Sequence, residues 1–315
     1  MELSWKKFNA MGTEIVLLAE LQPEQRYLLD KAVSAINEFD LRFSRFKEKS
    51  ELNVFNKFQG GTYQASEMLA DILKHSQKYY KETNGLFDPL VIDILEAIGY
   101  KNTFNETGKE QLTYDEELAR RSVAKKIFAA RPKLDQLIID GTKLVVPEGL
   151  RFDTGGIGKG YIVDILANDI FKNIDNYWLS AGGDLLIKGS DLGKIGWKVG
   201  VQNPLVDNQE SFSINTLGET MGIATSGVIK RQGIVGGIKW HHIIDPRTGE
   251  PAVTDVISVT MIAPTAEEAD IYAKTVLMLG SKEGLEFVES RDGLECAIFF
   301  RDKAPIFSRG IIKYL

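Results

Sequence analysis

The sequence predicts an α+β fold. Amphipathic helical runs and short apolar strand-like runs are both present, and they do not alternate in the βαβ rhythm of a doubly wound sheet. The 315 residues also contain no internal repeat and no low-complexity linker.

Residues 13–19 read as a strand. Residues 24–43 read as a helix: Leu28, Leu29, Ala32, Val33, Ile36, Phe39 and Phe43 recur at helical spacing behind Pro23. A second helix spans about 66–82. Ser66 suits its N-cap, Met68, Leu69, Ile72, Leu73, Tyr79 and Tyr80 form its apolar face, and Asn84-Gly85 stops it. Residues 101–135 are polar and charged, with one helical stretch near 114–130. They are the candidate seam between subdomains in what otherwise reads as one domain over 1–315. Strand-like runs follow over 136–147, and Asp153–Gly160 leads into a helix of about 161–172. Short apolar runs lie at 177–180, 184–188, 197–202, 221–225 and 256–263. Thr265 and Glu268 form a capping box for a helix that runs to Leu279 and stops at Gly280. Strands at 294–300 and 305–314 close the chain.

Composition narrows the function. The chain has 38 Lys and Arg against 44 Asp and Glu, a net charge of −6, which argues against a nucleic-acid groove and a polybasic membrane anchor. No run approaches the ~18 continuous apolar residues of a membrane span. Met1–Lys7 shows no signal-peptide core. The expectation is a cytoplasmic protein, or an exported one if a leader has been trimmed. The one cysteine, Cys296, allows no intrachain disulfide and no cysteine-based zinc site; its apolar surroundings suit a core thiol.

Glycines cluster at 155–160, 182–183, 222–227 and 233–237, where backbone turns tightly or approaches something closely. Asp153–Gly160 is not a Walker A loop, because Asp153 and Gly160 stand where Gly and Ser/Thr are needed. It is not a dinucleotide fingerprint either, because Tyr161 replaces the last small residue. Two readings remain: backbone N–H groups and Lys159 facing an anion at a helix start near 160, or a tight strand-to-helix turn with an exposed lysine. Neither Ser180 nor Ser226 sits in a Gly-x-Ser-x-Gly elbow. His241 and His242 are adjacent, so on a strand they face opposite ways and do not share a metal.

The segments form an ordered series. They are Met11-Gly-Thr13, Phe43-Ser-Arg-Phe46 with Ser50-Glu-Leu52 and Asn56, Thr83-Asn-Gly-Leu-Phe-Asp-Pro89, and Asp153–Gly160 with Asp164. Then come Ala181-Gly-Gly-Asp184, Ala224-Thr-Ser-Gly227, His242-Ile-Ile-Asp-Pro-Arg-Thr-Gly249, and Ser258–Pro264 running into Ala269-Asp270. In this order they resemble the ApbE family, the FAD:protein FMN transferases, over residues 8 to 300.

The resemblance implies a T-fold-related α+β arrangement of mixed sheets and packed helices, with FAD between two subdomains. It implies cleavage of the FAD pyrophosphate and transfer of FMN to a Ser or Thr hydroxyl of a target redox subunit, with release of AMP and help from Mg²⁺. FAD pyrophosphate hydrolysis, and FAD binding without turnover, are the alternatives. Met11, Phe46, Leu86, Phe87, Asp88, Asp153, Lys159 and Ile244 fall on FAD-contacting positions; for Met11 and the aromatics, plain core packing is the other reading. By similarity Asp270 gives the metal a carboxylate, Gly156 a backbone carbonyl, and the backbone at Ala273 lies beside it. His242 matches a histidine suited to general-base work, or alternatively to orienting or structural work. One departure stands out. The family places Thr four residues after the aspartate, where this chain has Lys274, with Thr275 one place late. An ammonium cannot coordinate a cation. It can pair with Asp270 on a helix surface or stand in for part of the metal's charge.

Overall fold

The computed structural model describes residues 1–98, 100, 112–191 and 193–315. They divide into two compact units. The first comprises Met1–Asp40, Ile157–Ile229 and Thr254–Leu315, and the second Leu41–Gly156 and Lys230–Val253.

The first unit is built on an eight-stranded sheet. Its strands are Glu2–Ala10, Thr13–Leu21, Tyr177–Ala181, Asp184–Lys188, Met221–Gly227, Ser258–Ala263, Glu295–Phe299 and Ile306–Phe307. They lie side by side in chain order, each antiparallel to its neighbours. The second unit is therefore inserted into the sheet's sequence twice: between Thr13–Leu21 and Tyr177–Ala181, and between Met221–Gly227 and Ser258–Ala263. One apolar cluster of this unit gathers Ile187, Ile214, Ile223, Ile262, Ala297 and Ile311.

Glycine sets the close helix packing. A Cβ at Gly222 would stand 2.0 Å from the carbonyl oxygen of Thr265, so the start of the helix Ala266–Leu279 rests directly on the sheet backbone. A Cβ at Gly160 would stand 2.5 Å from Cα of Glu267, which brings the helix Gly158–Ile165 equally close to that same first turn. The helix Ala266–Leu279 is buried on nearly every side, and its Glu267 and Asp270 are buried along with its apolar residues.

The second unit holds helices Glu51–Asn56, Glu67–Glu82, Ile92–Ala97 and Tyr114–Ala130. Its three-stranded sheet places Lys143–Val146 between Gly61–Gln64 and Ile138–Asp140. The hairpin Gln232–Val235/Ile238–His241 joins a core of Ile94, Leu95, Ala124, Phe128, Val235, Trp240 and Ile244. Ser66 caps its helix by accepting from the Leu69 N–H at 3.1 Å, and Asn84 and Gly85 end it at φ of +51° and +79°.

Three expectations change. The seam at 101–135 is not where the chain passes between units. Residues 112–135 lie inside the second unit, where a capped helix pairs its buried Glu117 with Arg120 and Arg121, and residues 101–111 lie outside the described residues. The helix expected from 161 begins at Gly158, so Gly160 lies in its first turn, where it packs on the backbone of Glu267. The strand expected over 305–314 is two residues long and turns into a 3₁₀ helix, Arg309–Tyr314.

Candidate active site

In the second unit, residues 152–154 are stapled to residues 43–56. The Asn56 amide donates to the Phe152 carbonyl at 2.8 Å and accepts from its N–H at 2.7 Å. The Thr154 hydroxyl donates to the Phe43 carbonyl at 2.9 Å. Between them, Arg45 Nε lies 3.6 Å from Asp153 Oδ1, with side chains only 6% and 9% exposed. Burial pushes the Asp153 carboxyl above its usual range, opposed by the Arg45 charge and by a hydrogen bond from the Gly155 N–H. The Arg45 guanidinium also lies against two rings, 4.5 Å from the centre of Phe46 and 4.7 Å from that of Tyr100. Phe46 is 43% exposed, so one ring is held on a buried cation while remaining open to a planar ligand.

The Asp153 N–H donates to the Pro89 carbonyl at 2.9 Å, which joins this staple to the next motif. There the Thr83 hydroxyl bonds the Tyr79 carbonyl and the Phe87 N–H, fixing the turn that carries Leu86 and Phe87. Both side chains are buried in the unit, and the Phe87 ring lies 3.4 Å from where a Cβ on Gly156 would be. Asp88 is paired with Arg131, and its other oxygen takes the Leu90 N–H at 2.9 Å. Burial is the largest influence on the Asp88 carboxyl and raises it, against the pull of Arg131.

Asp245-Pro-Arg-Thr-Gly249 is a locked turn. The Asp245 carboxylate takes the Arg247 N–H at 2.8 Å and its guanidinium, and the Asp245 carbonyl takes the Gly249 N–H at 2.8 Å. A Cβ at Gly249 would meet the Phe128 ring at 2.8 Å. This turn fixes the segment just before it, where Ile244 is buried and His242 is half-buried. The strand ends at His241, whose Nε2 lies 2.9 Å from the Ala252 carbonyl oxygen and whose burial lowers its pKa. Of the adjacent histidines, His241 has this structural bond and His242 begins the bend beyond the strand.

In the first unit, Met11 and Gly12 form a hairpin turn at φ of +54° and +69°. The left-handed backbone is costly for a methionine, so this side chain is presented under strain. Gly182 and Gly183 turn the adjacent hairpin, and a Cβ at Gly182 would meet Thr13 Oγ1 at 2.4 Å. The following residue, Asp184, is paired with Lys159. Lys159 is thus a held cation rather than the exposed lysine of the plainer reading. Asp164 takes the N–H groups of Ala266 and Glu267, both at 2.9 Å, and so caps the helix Ala266–Leu279 together with Thr265. Burial pushes the Asp164 carboxyl up to about 7 despite those bonds.

That helix carries Asp270, Ala273 and Lys274. Lys274 Nζ is paired with the Asp270 carboxylate and also donates to the Asp270 carbonyl at 3.2 Å. Thr275 is fully buried and donates to the Ile271 carbonyl at 3.0 Å. Mg²⁺ accepts one carboxylate with waters and phosphates as partners; here the one carboxylate holds an ammonium. At ~5 Å and an effective dielectric of ~20, charges of +1 and +2 repel by roughly 7 kcal/mol before screening. These residues do not fit the divalent ion expected from the sequence.

Arg45, Arg131 and Asp184 were not among the expected site residues. Arg45 and Asp184 stand inside the motifs, but their partners are distant in the chain.

The family model described as the ApbE family matches residues 11–298. An FAD:protein FMN transferase of Vibrio cholerae is 28% identical over 267 residues, covering 83% of this chain and 75% of that protein. One of Escherichia coli K12 is 29% identical over 269 residues, covering 85% and 75%. Among solved structures, the ApbE protein of Thermotoga maritima superposes with a TM-score of 0.84 at 25% identity, covering 99% of each chain. The flavin transferase ApbE of Vibrio cholerae does so with 0.81 at 24% identity, covering 100% of this chain and 99% of its own.

Proposed function

Since the chain belongs to the ApbE family, we propose that it is an FAD:protein FMN transferase. The observation that carries this reading is the staple of Asn56, Arg45 and Thr154 on residues 152–154, which organises three of the family's motifs around Phe46, Asp88 and Asp153.

FAD is the substrate, and a protein bearing a Ser or Thr hydroxyl is the acceptor. Phe46 offers a stacking face for the flavin ring. Asp88, Asp153, Leu86, Phe87 and Ile244 complete that side, and Met11 and Lys159 serve the rest of the dinucleotide. The acceptor oxygen bonds to the FMN phosphorus as the bond to the bridging oxygen breaks, and AMP leaves with that oxygen. His242 takes the hydroxyl proton; imidazole suits this near neutrality. Phosphoryl transfer is mainly positioning and charge stabilisation, which two ammonium groups on buried carboxylates, Lys159 and Lys274, can supply.

The test is incubation with FAD and a tagged acceptor, read by in-gel flavin fluorescence and intact mass. Flavin covalently on the acceptor with equimolar AMP supports the reading. AMP and free FMN without labelled acceptor would make the protein a pyrophosphatase, and stoichiometric FAD without AMP a binding protein.

A further inference from the structure

We propose that Lys274 does the work of a divalent cation in this chain, so that FMN transfer proceeds without one. The proposal rests on the transferase reading above.

Asp270 is 3% exposed in its side chain and Lys274 19%. A buried carboxylate needs a fixed partner, and here the partner is covalently part of the same helix, one turn on. Its second bond, to the Asp270 carbonyl, holds the ammonium at a set position. Any metal at this carboxylate would have to displace a group that cannot diffuse away.

The second cation lies on the adjoining helix. Lys159 is paired with Asp184, which is 3% exposed in its side chain. Gly160, the next residue, packs on the backbone of Glu267. Glu267, Asp270 and Lys274 are spaced i, i+3 and i+7, one face of the helix. Two packed helices thus each carry an ammonium locked on a buried aspartate. Each ammonium has three N–H donors, more than its aspartate alone requires, and can give one to a phosphoryl oxygen where a metal would coordinate it.

The reaction balances without a metal. The acceptor oxygen–phosphorus bond forms, the phosphorus–bridging oxygen bond breaks, the electron pair leaves on AMP, and the hydroxyl proton goes to His242. Lys274 stays protonated throughout and donates to oxygen as negative charge develops.

The test uses the whole chain and Lys274→Thr. Mg²⁺ is titrated into each FAD-loaded protein by calorimetry, and transfer is timed in EDTA and in Mg²⁺. The wild type should show no saturable Mg²⁺ binding and nearly the same rate in both. Lys274→Thr should bind Mg²⁺, lose about 10²-fold or more in EDTA, as when one preorganised donor is removed, and recover with Mg²⁺. Saturable Mg²⁺ binding by the wild type, or a wild-type rate abolished by EDTA and restored by Mg²⁺, would overturn the proposal. So would equal Mg²⁺ binding by the two proteins. Failure to label any acceptor, by either protein in either buffer, would instead sink the transferase reading, while the calorimetry still decides whether Lys274 excludes the ion.

Discussion

Asn56 pairs with both backbone groups of Phe152 across almost a hundred residues, as a neighbouring strand would. Phe152 is fully buried. In Asn56→Ala its N–H and C=O lose their partners at about 1–3 kcal/mol each, and the melting temperature should drop accordingly. Asn56→Asp should do no better, because a carboxylate would face the Phe152 carbonyl. A melting temperature unchanged in Asn56→Ala would show that the staple adds nothing.

Arg45→Met keeps the bulk against Phe46 but removes the charge facing Asp153. Losing one partner of a buried pair costs about 3–5 kcal/mol. Asp153 is already raised by burial, so without the guanidinium it escapes by protonating. The deficit in unfolding free energy should therefore be smaller at about pH 5 than at about pH 8. Equal deficits at both would mean that Arg45 acts only through packing.

Asp164 sets a pH dependence with a definite sign. Its carboxyl is near 7 when folded against 3.8 as a free side chain. Between those values the folded protein holds the extra proton, so stability falls as pH rises toward 7 and levels off above it. Asp164→Asn does not titrate, and it can accept only one of the two N–H groups of Ala266 and Glu267. The stability difference, wild type minus variant, should shrink from about pH 5 to about pH 8. A difference growing over that range would reverse the assignment.

His242→Ala should leave FAD affinity within a few-fold and slow transfer by about 10²–10⁴, the usual contribution of a general base. Titration calorimetry and the flavin-fluorescence time course separate the two. Transfer at the normal rate would remove His242 from the chemistry.

Gly160→Ala puts a methyl into backbone, 2.5 Å from Glu267 Cα. Forced separation of two packed helices costs about 1–3 kcal/mol. Because neither neighbour is a flexible side chain, denaturant midpoints should register the full amount. An unaltered midpoint would show that the helices part freely.

Much of this was readable in the sequence where the cause is local. Ser66, Thr265 and Gly280 mark helix ends through bonds within a few residues, and the structure places them there. The i,i+4 spacing of Asp270 and Lys274 made their pairing one of the two readings open in the sequence, and the structure pairs them. The strand Glu2–Ala10 escaped notice because it borders the sheet: its residues are mostly exposed, with Lys6 and Lys7 consecutive, so no alternation shows. The packing of Gly160 on Glu267 was not legible, because a glycine needed for packing looks the same as one needed for a turn. Arg45–Asp153 and Asp88–Arg131 unite residues far apart in the chain, and no spacing rule announces such pairs.

The chain-order sheet has a consequence for synthesis. Thr13–Leu21 finds its next partner only in Tyr177–Ala181, about 160 residues later. At about 5–20 residues per second this interval is roughly 8–30 s. For that time the N-terminal hairpin is a lone two-stranded ribbon, marginal in water by itself. Its inner edge, with Ile15, Leu17 and Ala19 destined for complete burial, stays open while the intervening chain is made. The nascent protein is thus most exposed to wrong strand pairing early, and a chaperone that shields this edge would act before the second unit is complete.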